Sequence, residues 1–539
     1  MDGTTDTAAA RPERGPQVPV ALDVEGEAAV ASSHAGTDDV SPVTTTLKPH
    51  PGEAQPTPLP PLESRWGVLR HSHFRTIWVA AFFSYIGNWF EFVGTQWIVT
   101  AKTGSMMWMS YLGAAQLVPS FVLGLLGGIT ADRVNRKKLL LVTQVVMMLV
   151  AVGFAVVVHV FRGLPNAPAG TTTPPAEARP LLYWLLGLAT AQGIAIAFNN
   201  PAWQVLTPRL VPRDELIRAI TLQGISFNAA RAIGPAIAGL IMGLWSPMAL
   251  FIINAVSFIG VMIAVTTTPD APAPAAEPNW WRKVWQDTKA AGAFVWRQPG
   301  PRAAFLACVV FGVFATPILR FLSLFVSNVY HLQEKTFGVL TGVMGAGAVV
   351  GGLAMKLVPA WYPRHHFIPL SVLLGGVWIL LFALATNVWV AGFVMFFVGW
   401  FWMWSFNSAM SSLQMLVEDS MRGRALAVCN TVALGLMPVG YFAASAVGHG
   451  GTELLRRFSP AMVEDAEGMS VQIGVGACAV VLIVAGWVMM TYRTPEVDGL
   501  KPGEPGYDRV PGFWRGLTAA AHKPGGRAFS PPHNSAPRT

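Results

Sequence analysis

Long apolar segments alternate with short polar loops along most of the chain. An α-helix needs about 20 predominantly apolar residues to cross the hydrocarbon core of a bilayer. Twelve segments reach about that length, so the pattern predicts an all-α membrane protein with twelve transmembrane helices. The predicted spans are 74–101, 106–127, 138–161, 180–206, 216–243, 247–267, 303–329, 336–358, 367–386, 388–414, 424–448 and 471–492.

Composition agrees with this prediction. Of the 539 residues, 53% are hydrophobic and only 12% are charged, whereas soluble domains carry about 25% charge. The net charge of +8 is typical of basic cytoplasmic loops, so we expect no nucleic acid partner. The three cysteines lie inside apolar segments as packing residues, and no Cys/His pair has metal-ligand spacing. We therefore expect neither a metal nor a cofactor.

The loop cations predict the orientation. If both termini are cytoplasmic, the cytoplasmic loops hold the clear majority of the loop lysines and arginines, as the positive-inside rule requires. We expect a multi-pass protein of a bacterial-type plasma (inner) membrane. The Pro- and Gly-rich ends have no long apolar run and are predicted to be disordered.

A polar break after the sixth span divides the chain into two groups of six helices. The break begins with a Pro-rich stretch and continues into a predicted amphipathic helix rich in Trp, Lys and Arg. A short repeat supports two pseudo-symmetric halves, because Asn200-Pro-Ala-Trp and Asn407-Ser-Ala-Met begin similar segments in spans 4 and 10. The predicted organisation is a cytoplasmic tail at 1–70, a six-helix half at 71–267, a cytoplasmic linker at 268–302, a second half at 303–493 and a cytoplasmic tail at 494–539.

A charged loop separates the second and third spans. Its residues, GITADRVNRKK from Gly128, resemble the signature of the major facilitator superfamily, Gly-x-x-x-Asp-Arg-x-Gly-Arg-Arg/Lys. Asn135 replaces the second Gly, which we expect to be tolerated because Asn also adopts left-handed turns. The resemblance implies a gating role for Asp132, whose charge would meet the positive end of the eleventh span. The matching residues are Gly128, Asp132, Arg133, Arg136 and Lys137.

Within that superfamily, the chain resembles bacterial efflux proteins of the enterobactin-exporter or transmembrane secretion effector type. The resemblance is carried by residues 85–105, by the charged loop and by residues 200–240. The last segment includes Gly234, Pro235 and Gly239, which resemble the exporters' fifth-helix pattern. The resemblance implies a secondary active transporter that exports a small organic molecule, drug- or siderophore-like, by alternating access.

Three ionisable residues, Glu91, Arg231 and Arg320, fall deep inside predicted spans, where charge is costly. Glu91 and Arg231 could form a structural pair, or Glu91 could carry a proton; an unpaired Arg320 would favour an anionic substrate. Superfamily members often carry a coupling Arg in the fourth helix, but Ala189 occupies that position here. Proton antiport, if it occurs, would therefore depend on Glu91.

Polar and aromatic residues inside the spans are candidates for a substrate cavity, because aromatic faces suit large apolar or aromatic ligands. These candidates are Asn88, Trp89, Asn200, Trp404 and Asn407.

No constellation of catalytic residues is evident, so we do not expect an enzyme. We expect a monomer in a lipid bilayer that acts on a small-molecule substrate, with protons as the candidate coupling ion. The alternatives are an importer of a small organic solute, a polytopic membrane enzyme and a transport-dead scaffold. The sequence leaves substrate, direction and coupling ion open.

Overall fold

The computed structural model describes residues 67–167, 174–206, 209–269, 280–358, 364–417, 419–458 and 466–491. The predicted C-terminal tail, nearly all of the N-terminal tail and the start of the linker lie outside the described residues. Within the helices, the side chains of a few residues also lie outside the description, among them Asp132.

The described part of the chain folds into thirteen α-helices. Helices α1–α6 correspond to the first six predicted spans, α7 lies in the linker, and α8–α13 correspond to the last six. The helices are α1 Ser72–Thr103, α2 Met106–Arg133, α3 Arg136–Val160, α4 Arg179–Leu206, α5 Leu216–Leu244, α6 Pro247–Thr266, α7 Trp280–Arg297, α8 Pro299–Leu324, α9 Glu334–Ala354, α10 Arg364–Leu384, α11 Val388–Leu416, α12 Asp419–Phe458 and α13 Ala466–Thr491.

Eleven of these helices are long and apolar enough to cross a membrane. The twelfth predicted span, α1, is not in that set; it contains Arg75, Glu91 and Lys102 among its 32 residues. Its length is about 48 Å at 1.5 Å per residue, and it packs against α5 and α6. With α1 included, the bundle contains the twelve helices that the sequence predicts.

Two differences between the predicted and the observed boundaries matter for the fold. Helix α12 has 40 residues and continues to Phe458, ten residues past the predicted end at 448. Its extension is polar: Glu453 lies 3.8 Å from Arg456 and 3.6 Å from Arg457, so hydropathy alone missed it. At the other end, residues 67–70 form a turn and Val68 is fully buried, although the sequence assigns them to a tail.

The turn before α1 is held by Glu215, at the end of the loop between α4 and α5. Its buried carboxylate accepts a hydrogen bond from the Arg70 guanidinium and lies 2.9 Å from His71 Nε2. Val68 packs with Phe74 and Leu222 beneath these contacts. Residues 67–70 therefore pack with the bundle, together with the half that the sequence places from residue 71.

Helix α7 packs on α8 and α12. Ala291 and Val295 are buried, whereas Trp285, Lys289 and Trp296 are exposed. The Lys289 ammonium lies 5.1 Å from the Trp285 ring centroid. The buried and exposed sides of α7 agree with an amphipathic helix. The position of α7 on a membrane surface stays a prediction.

Helices α1–α6 pack mainly on one another, and so do α8–α13. The main contacts between the groups are α5 with α9 and α2 with α12, while α1 and α2 touch α8. Residues at the junction of the two groups carry the candidate chemistry.

Candidate transport site

One end of the bundle, at which α1 and α8 end, is closed by contacts between the two groups. The Thr100 and Ser323 hydroxyl oxygens lie 2.7 Å apart, and Asn328 Nδ2 donates to the Gly104 carbonyl at 3.1 Å. Trp97 stacks on Phe337 with 6.4 Å between ring centroids. We call this region the packed end.

Small residues let α5 and α9 approach closely at the packed end. A Cβ atom on Gly239 would lie 2.6 Å from Gly338 Cα, closer than real Cβ contacts allow. Pro235 is buried in the same interface, and its carbonyl borders Gly338. Gly234 faces α1 instead, since its Cβ would lie 2.8 Å from Trp89 Cβ. The predicted exporter-like residues therefore pack α5 against both α1 and α9.

The opposite end, where α2 ends and α5 begins, is different. A Cβ atom added to Gly128 or to Gly224 would meet no atom within 4 Å. Ile217, in the first turn of α5, is 73% exposed, and Ile220 and Phe227 are also exposed. Ile220, Gly224 and Phe227 lie on the same face of α5 as Arg231, because seven residues make about two helical turns. We call this region the open end.

Glu91 faces α6. Its buried carboxylate accepts a hydrogen bond of 2.8 Å from Asn254 Nδ2, and the Ser257 hydroxyl donates to the Asn254 carbonyl at 2.7 Å. Gly87, one turn earlier on α1, leaves room for both α6 side chains. Glu91 therefore belongs to a polar contact between α1 and α6.

The structure does not join Glu91 and Arg231 into the structural pair that the sequence allows. The Arg231 guanidinium lies over the ring of Trp402 in α11, 5.1 Å from its centroid. It lines a small pocket with Trp89, Leu319 and Thr341, whose volume of about 10 Å³ suits a single water molecule.

Arg320 is only 4% exposed and sits between aromatic rings. Its guanidinium carbon lies 5.5 Å from the Phe92 ring centroid and 5.2 Å from that of Tyr441. Its Nη2 donates to Gln116 Oε1 at 2.9 Å. Its Nε and Nη1 are buried without a hydrogen-bond partner among the described residues.

The charged loop is a tight turn between α2 and α3. Asn135 has φ −59° and caps α3 by accepting a hydrogen bond of 3.1 Å from Lys138 N. Asn135 is therefore not in a left-handed conformation. Its side chain is used as a helix cap, for which Asn is well suited.

The cations of this loop bind backbone carbonyls. Arg136 Nε donates to the Ala131 carbonyl at 3.1 Å, and Lys137 Nζ donates to the carbonyls of Thr266 and Thr268 at 2.9 and 2.7 Å. Arg133 is exposed at the end of α2, and the side chain of the predicted gating residue Asp132 lies outside the described residues. Lys137 thus ties the loop to the end of α6.

The predicted cavity residues are dispersed. Trp89 lines the pocket with Arg231, and Asn88 Oδ1 is buried without a hydrogen-bond partner among the described residues. Trp404 Nε1 donates to the Gly351 carbonyl of α9 at 2.7 Å, whereas Trp402, on the other side of α11, faces Arg231.

The two repeat asparagines also differ. Asn200 is exposed toward the open end, and Asn407 Nδ2 lies 3.0 Å from Met403 Sδ in its own helix. Substrate contact by these residues stays a prediction.

Sequence reasoning missed several residues that contact the buried charges, among them Asn254, Gln116 and Tyr441. None belongs to a motif. A signal existed only for Asn254, which is a polar residue in the middle of the otherwise apolar sixth span.

Comparison with known proteins assigns the chain to a family. The sequence model of the transmembrane secretion effector family matches residues 63–504. A staphyloferrin A transporter of Staphylococcus aureus is 23% identical over 368 residues, covering 67% of this chain and 86% of that protein. Macrolide efflux protein A of Streptococcus pyogenes is 24% identical over 318 residues, covering 56% and 71%.

Solved structures show the same fold. A bacterial homologue of the human lysosomal transporter Spinster, in an inward-facing and unoccupied conformation, aligns with a TM-score of 0.58 at 14% identity, covering 80% of this chain and 97% of that chain. A D-xylose–proton symporter aligns with a TM-score of 0.56 at 14% identity, covering 79% and 99%. The predicted major facilitator fold is confirmed, and the chain belongs to the transmembrane secretion effector family of the major facilitator superfamily, whose members are membrane transporters.

Proposed function

We propose that this protein exports a small organic molecule across a bacterial inner membrane by alternating access between two six-helix halves. The observation that carries the proposal is the contrast between the packed end and the open end of one bundle. The relatives support it, since one is named a staphyloferrin A transporter and another a macrolide efflux protein. The proposed unit is a single chain with both termini in the cytoplasm.

In that orientation the open end faces the cytoplasm and the packed end faces outward. The state described here is then inward-open and ready to load substrate from the cytoplasm. Arg231 and Trp402 lie between the two ends and belong to different halves. A ligand between them would contact both halves, as a substrate that couples the two states must.

The charged loop supplies the cytoplasmic gate in this proposal. In the outward-open state, the end of α2 would close against the start of α12, and Gly128 would offer a smooth surface for that contact. Asp132 would then add its charge to the positive N-terminal end of α12, which stabilises that state.

Glu91 is the proposed proton carrier. It is a carboxyl group deep in α1, and its hydrogen bond is to Asn254 of α6 rather than to Arg231. Proton uptake by Glu91 would therefore act through the α1–α6 contact, beside the substrate path rather than in it. The charge change would alter the hydrogen bond between Glu91 of α1 and Asn254 of α6. Protonation would thereby change the packing of these two helices, which would couple it to the conformation.

Inverted membrane vesicles test both the direction and the coupling. With radiolabelled staphyloferrin A and a radiolabelled macrolide as alternative probes, an imposed pH gradient should drive accumulation of at least one of them, and a protonophore should abolish it. Glu91→Gln should abolish gradient-driven accumulation and leave equilibrium exchange intact; Glu453→Gln, at the exposed end of α12, is the control. Coupled accumulation at the wild-type rate in Glu91→Gln would remove Glu91 from the mechanism. Accumulation only in right-side-out vesicles would favour an importer.

Cysteine labelling tests the orientation. In a protein without its native cysteines, Ala276→Cys in the linker should react with an impermeant maleimide only from the cytoplasmic side. Gly170→Cys, between the third and fourth spans, should react only from outside. Labelling of both positions from one side would contradict the proposed topology.

A further inference from the structure

Two arginines inside the bundle have no carboxylate partner among the residues that the structure describes. Arg320 is almost fully buried, and Arg231 is half-buried above Trp402. Glu91, the carboxylate placed deepest among the described helices, bonds to Asn254 of α6 instead. Two positive charges therefore lie near the junction of the halves, and no described carboxylate pairs with either of them.

Aromatic contacts compensate these cations only in part. A ring face attracts a guanidinium, but it does not accept hydrogen bonds in the plane of the group. Arg320 retains two buried donors, Nε and Nη1, that no described atom accepts from. Buried polar groups without partners are uncommon in folded proteins and call for an explanation. An acceptor that arrives with a ligand is one explanation that also supplies the missing negative charge.

Residues of α8 and α1 connect the surroundings of the two arginines. Leu319, which precedes Arg320, lines the pocket of Arg231 together with Trp89 of α1 and Thr341 of α9. Trp89 in turn packs edge-on against Phe92, 5.2 Å between centroids, and Phe92 lies over Arg320. The cations thus flank one aromatic cluster at the place where both halves of the bundle meet.

We infer that Arg231 and Arg320 form a binding site for an organic anion, one with a carboxylate on an apolar or aromatic body. The guanidinium fork matches a carboxylate with two parallel hydrogen bonds, and the rings of Trp89, Phe92 and Trp402 suit the apolar part. This inference rests on the proposed function and names the chemical class of its substrate.

The positions of the arginines also give an order of contact. Arg231 lies midway along α5 and borders the face that continues to the open end. Arg320 lies one turn from Ser323, at the packed end, enclosed by Phe92, Gln116 and Tyr441. An anion entering from the open end therefore meets Arg231 first. The water-sized pocket beside Arg231 must widen to admit it, and Arg320 becomes reachable when the packed end opens.

Binding of a matched pair of probes tests the site. Benzoate and benzamide have nearly the same shape, but only benzoate carries the charge. With purified protein in nanodiscs, tryptophan fluorescence should report benzoate binding at least about 10-fold tighter than benzamide binding, the factor expected for a charged hydrogen bond. Arg231→Gln should lower benzoate affinity by a similar factor and leave benzamide binding unchanged. Arg457→Gln, at the exposed end of α12, should change neither.

Arg320→Gln should lower the benzoate affinity of protein trapped with its packed end open, and Arg320→Lys, which keeps the charge, should retain more of it. If Arg320→Gln does not fold, the Lys variant and Arg231→Gln still decide the outcome. Equal affinity for the two probes, or benzoate affinity that is unchanged in Arg231→Gln, would overturn the inference. Competition by sodium chloride at the same concentration would identify an inorganic anion site and would overturn the organic-anion assignment.

The probes separate this inference from the function on which it rests. A protein that exports the macrolide in vesicles but ignores benzoate keeps the proposed function and loses the anion site. A protein that binds benzoate through Arg231 and transports nothing keeps the site and loses the proposed function.

Discussion

The packed end and the open end use the same kind of residue in opposite ways. At the packed end, Gly239 of α5 and Gly338 of α9 bring two backbones into contact. At the open end, Gly224 of the same α5 and Gly128 of α2 border empty space. A transporter that works by alternating access must close each end in turn. Under the proposed function, Gly128 and Gly224 would therefore lie on a surface that closes in the other state.

The packed end is also held without ion pairs between the described residues of its two sides. It has ring stacking, close backbone packing and single hydrogen bonds such as Thr100–Ser323 and Asn328–Gly104. Each such bond contributes about 0.5–1.5 kcal/mol net. Two states can interconvert only if they differ by a few kcal/mol, and contacts of this size can be exchanged one for another.

The largest expected effect is at Gly239. Gly239→Leu would place a side chain against the Gly338 backbone, which cannot move cheaply, at a cost of about 1–3 kcal/mol or more. We expect the packed end to open and transport to fall at least about 10-fold, since 1.4 kcal/mol is a factor of ten. The measurement is the rate at which Ser105→Cys, buried at the packed end, reacts with a maleimide in a protein whose native cysteines are alanines.

The matched control is Gly224→Leu, fifteen residues earlier on the same helix. It lies at the open end with no neighbour within 4 Å, so it should not raise labelling of Ser105→Cys and should lower it if Gly224 enters a contact in the other state. If both variants raised labelling equally, a leucine at either end of α5 would disturb the bundle in the same way. That result would contradict the difference between the packed end and the open end.

The helices of the bundle could be predicted from the sequence. Apolar run length predicts the helices, because membrane-spanning segments must satisfy their own backbone hydrogen bonds. Apolar run length does not predict the polar end of α12, because that part of the helix, with its Glu453–Arg457 ion pair, lies beyond the apolar segment.

Partners across helices are harder to predict, because they depend on how each helix is rotated. Charge alone allows a Glu91–Arg231 pair, yet Glu91 bonds to Asn254. A signal was present: Gly87 and Gly94 share a face of α1 with Glu91, and both border α6. Small residues spaced in this way mark a helix-packing surface. The two Arg320 donors without a described partner, Nε and Nη1, depend on side-chain geometry, and no pattern in the sequence predicts them.

The next effect in size is at the loop of the open end. Asp132→Asn removes the charge and keeps the shape, so the proposed contact with the N-terminal end of α12 would lose about 0.5–2 kcal/mol. The inward-open state should then dominate further, labelling of Ser105→Cys should fall, and transport should drop several-fold at normal expression. Asp214→Asn, in the exposed loop before α5, is the charge-matched control. Faster labelling of Ser105→Cys in Asp132→Asn would show that Asp132 stabilises the inward-open state instead, which would contradict the proposed gate.

The smallest expected effect comes from one hydrogen bond at the packed end. Thr100→Val keeps the shape of the side chain and removes the hydroxyl that meets Ser323 across the two halves. The loss of about 0.5–1.5 kcal/mol should raise labelling of Ser105→Cys by roughly 2- to 10-fold, with the fold and expression unchanged. Thr130→Val is the control, because Thr130 lies at the open end and its hydroxyl bonds the Leu126 carbonyl of its own helix. A rise in labelling only in Thr100→Val would show that this hydrogen bond helps to close the packed end; an equal rise in both variants would show that threonine loss acts through general destabilisation of the bundle.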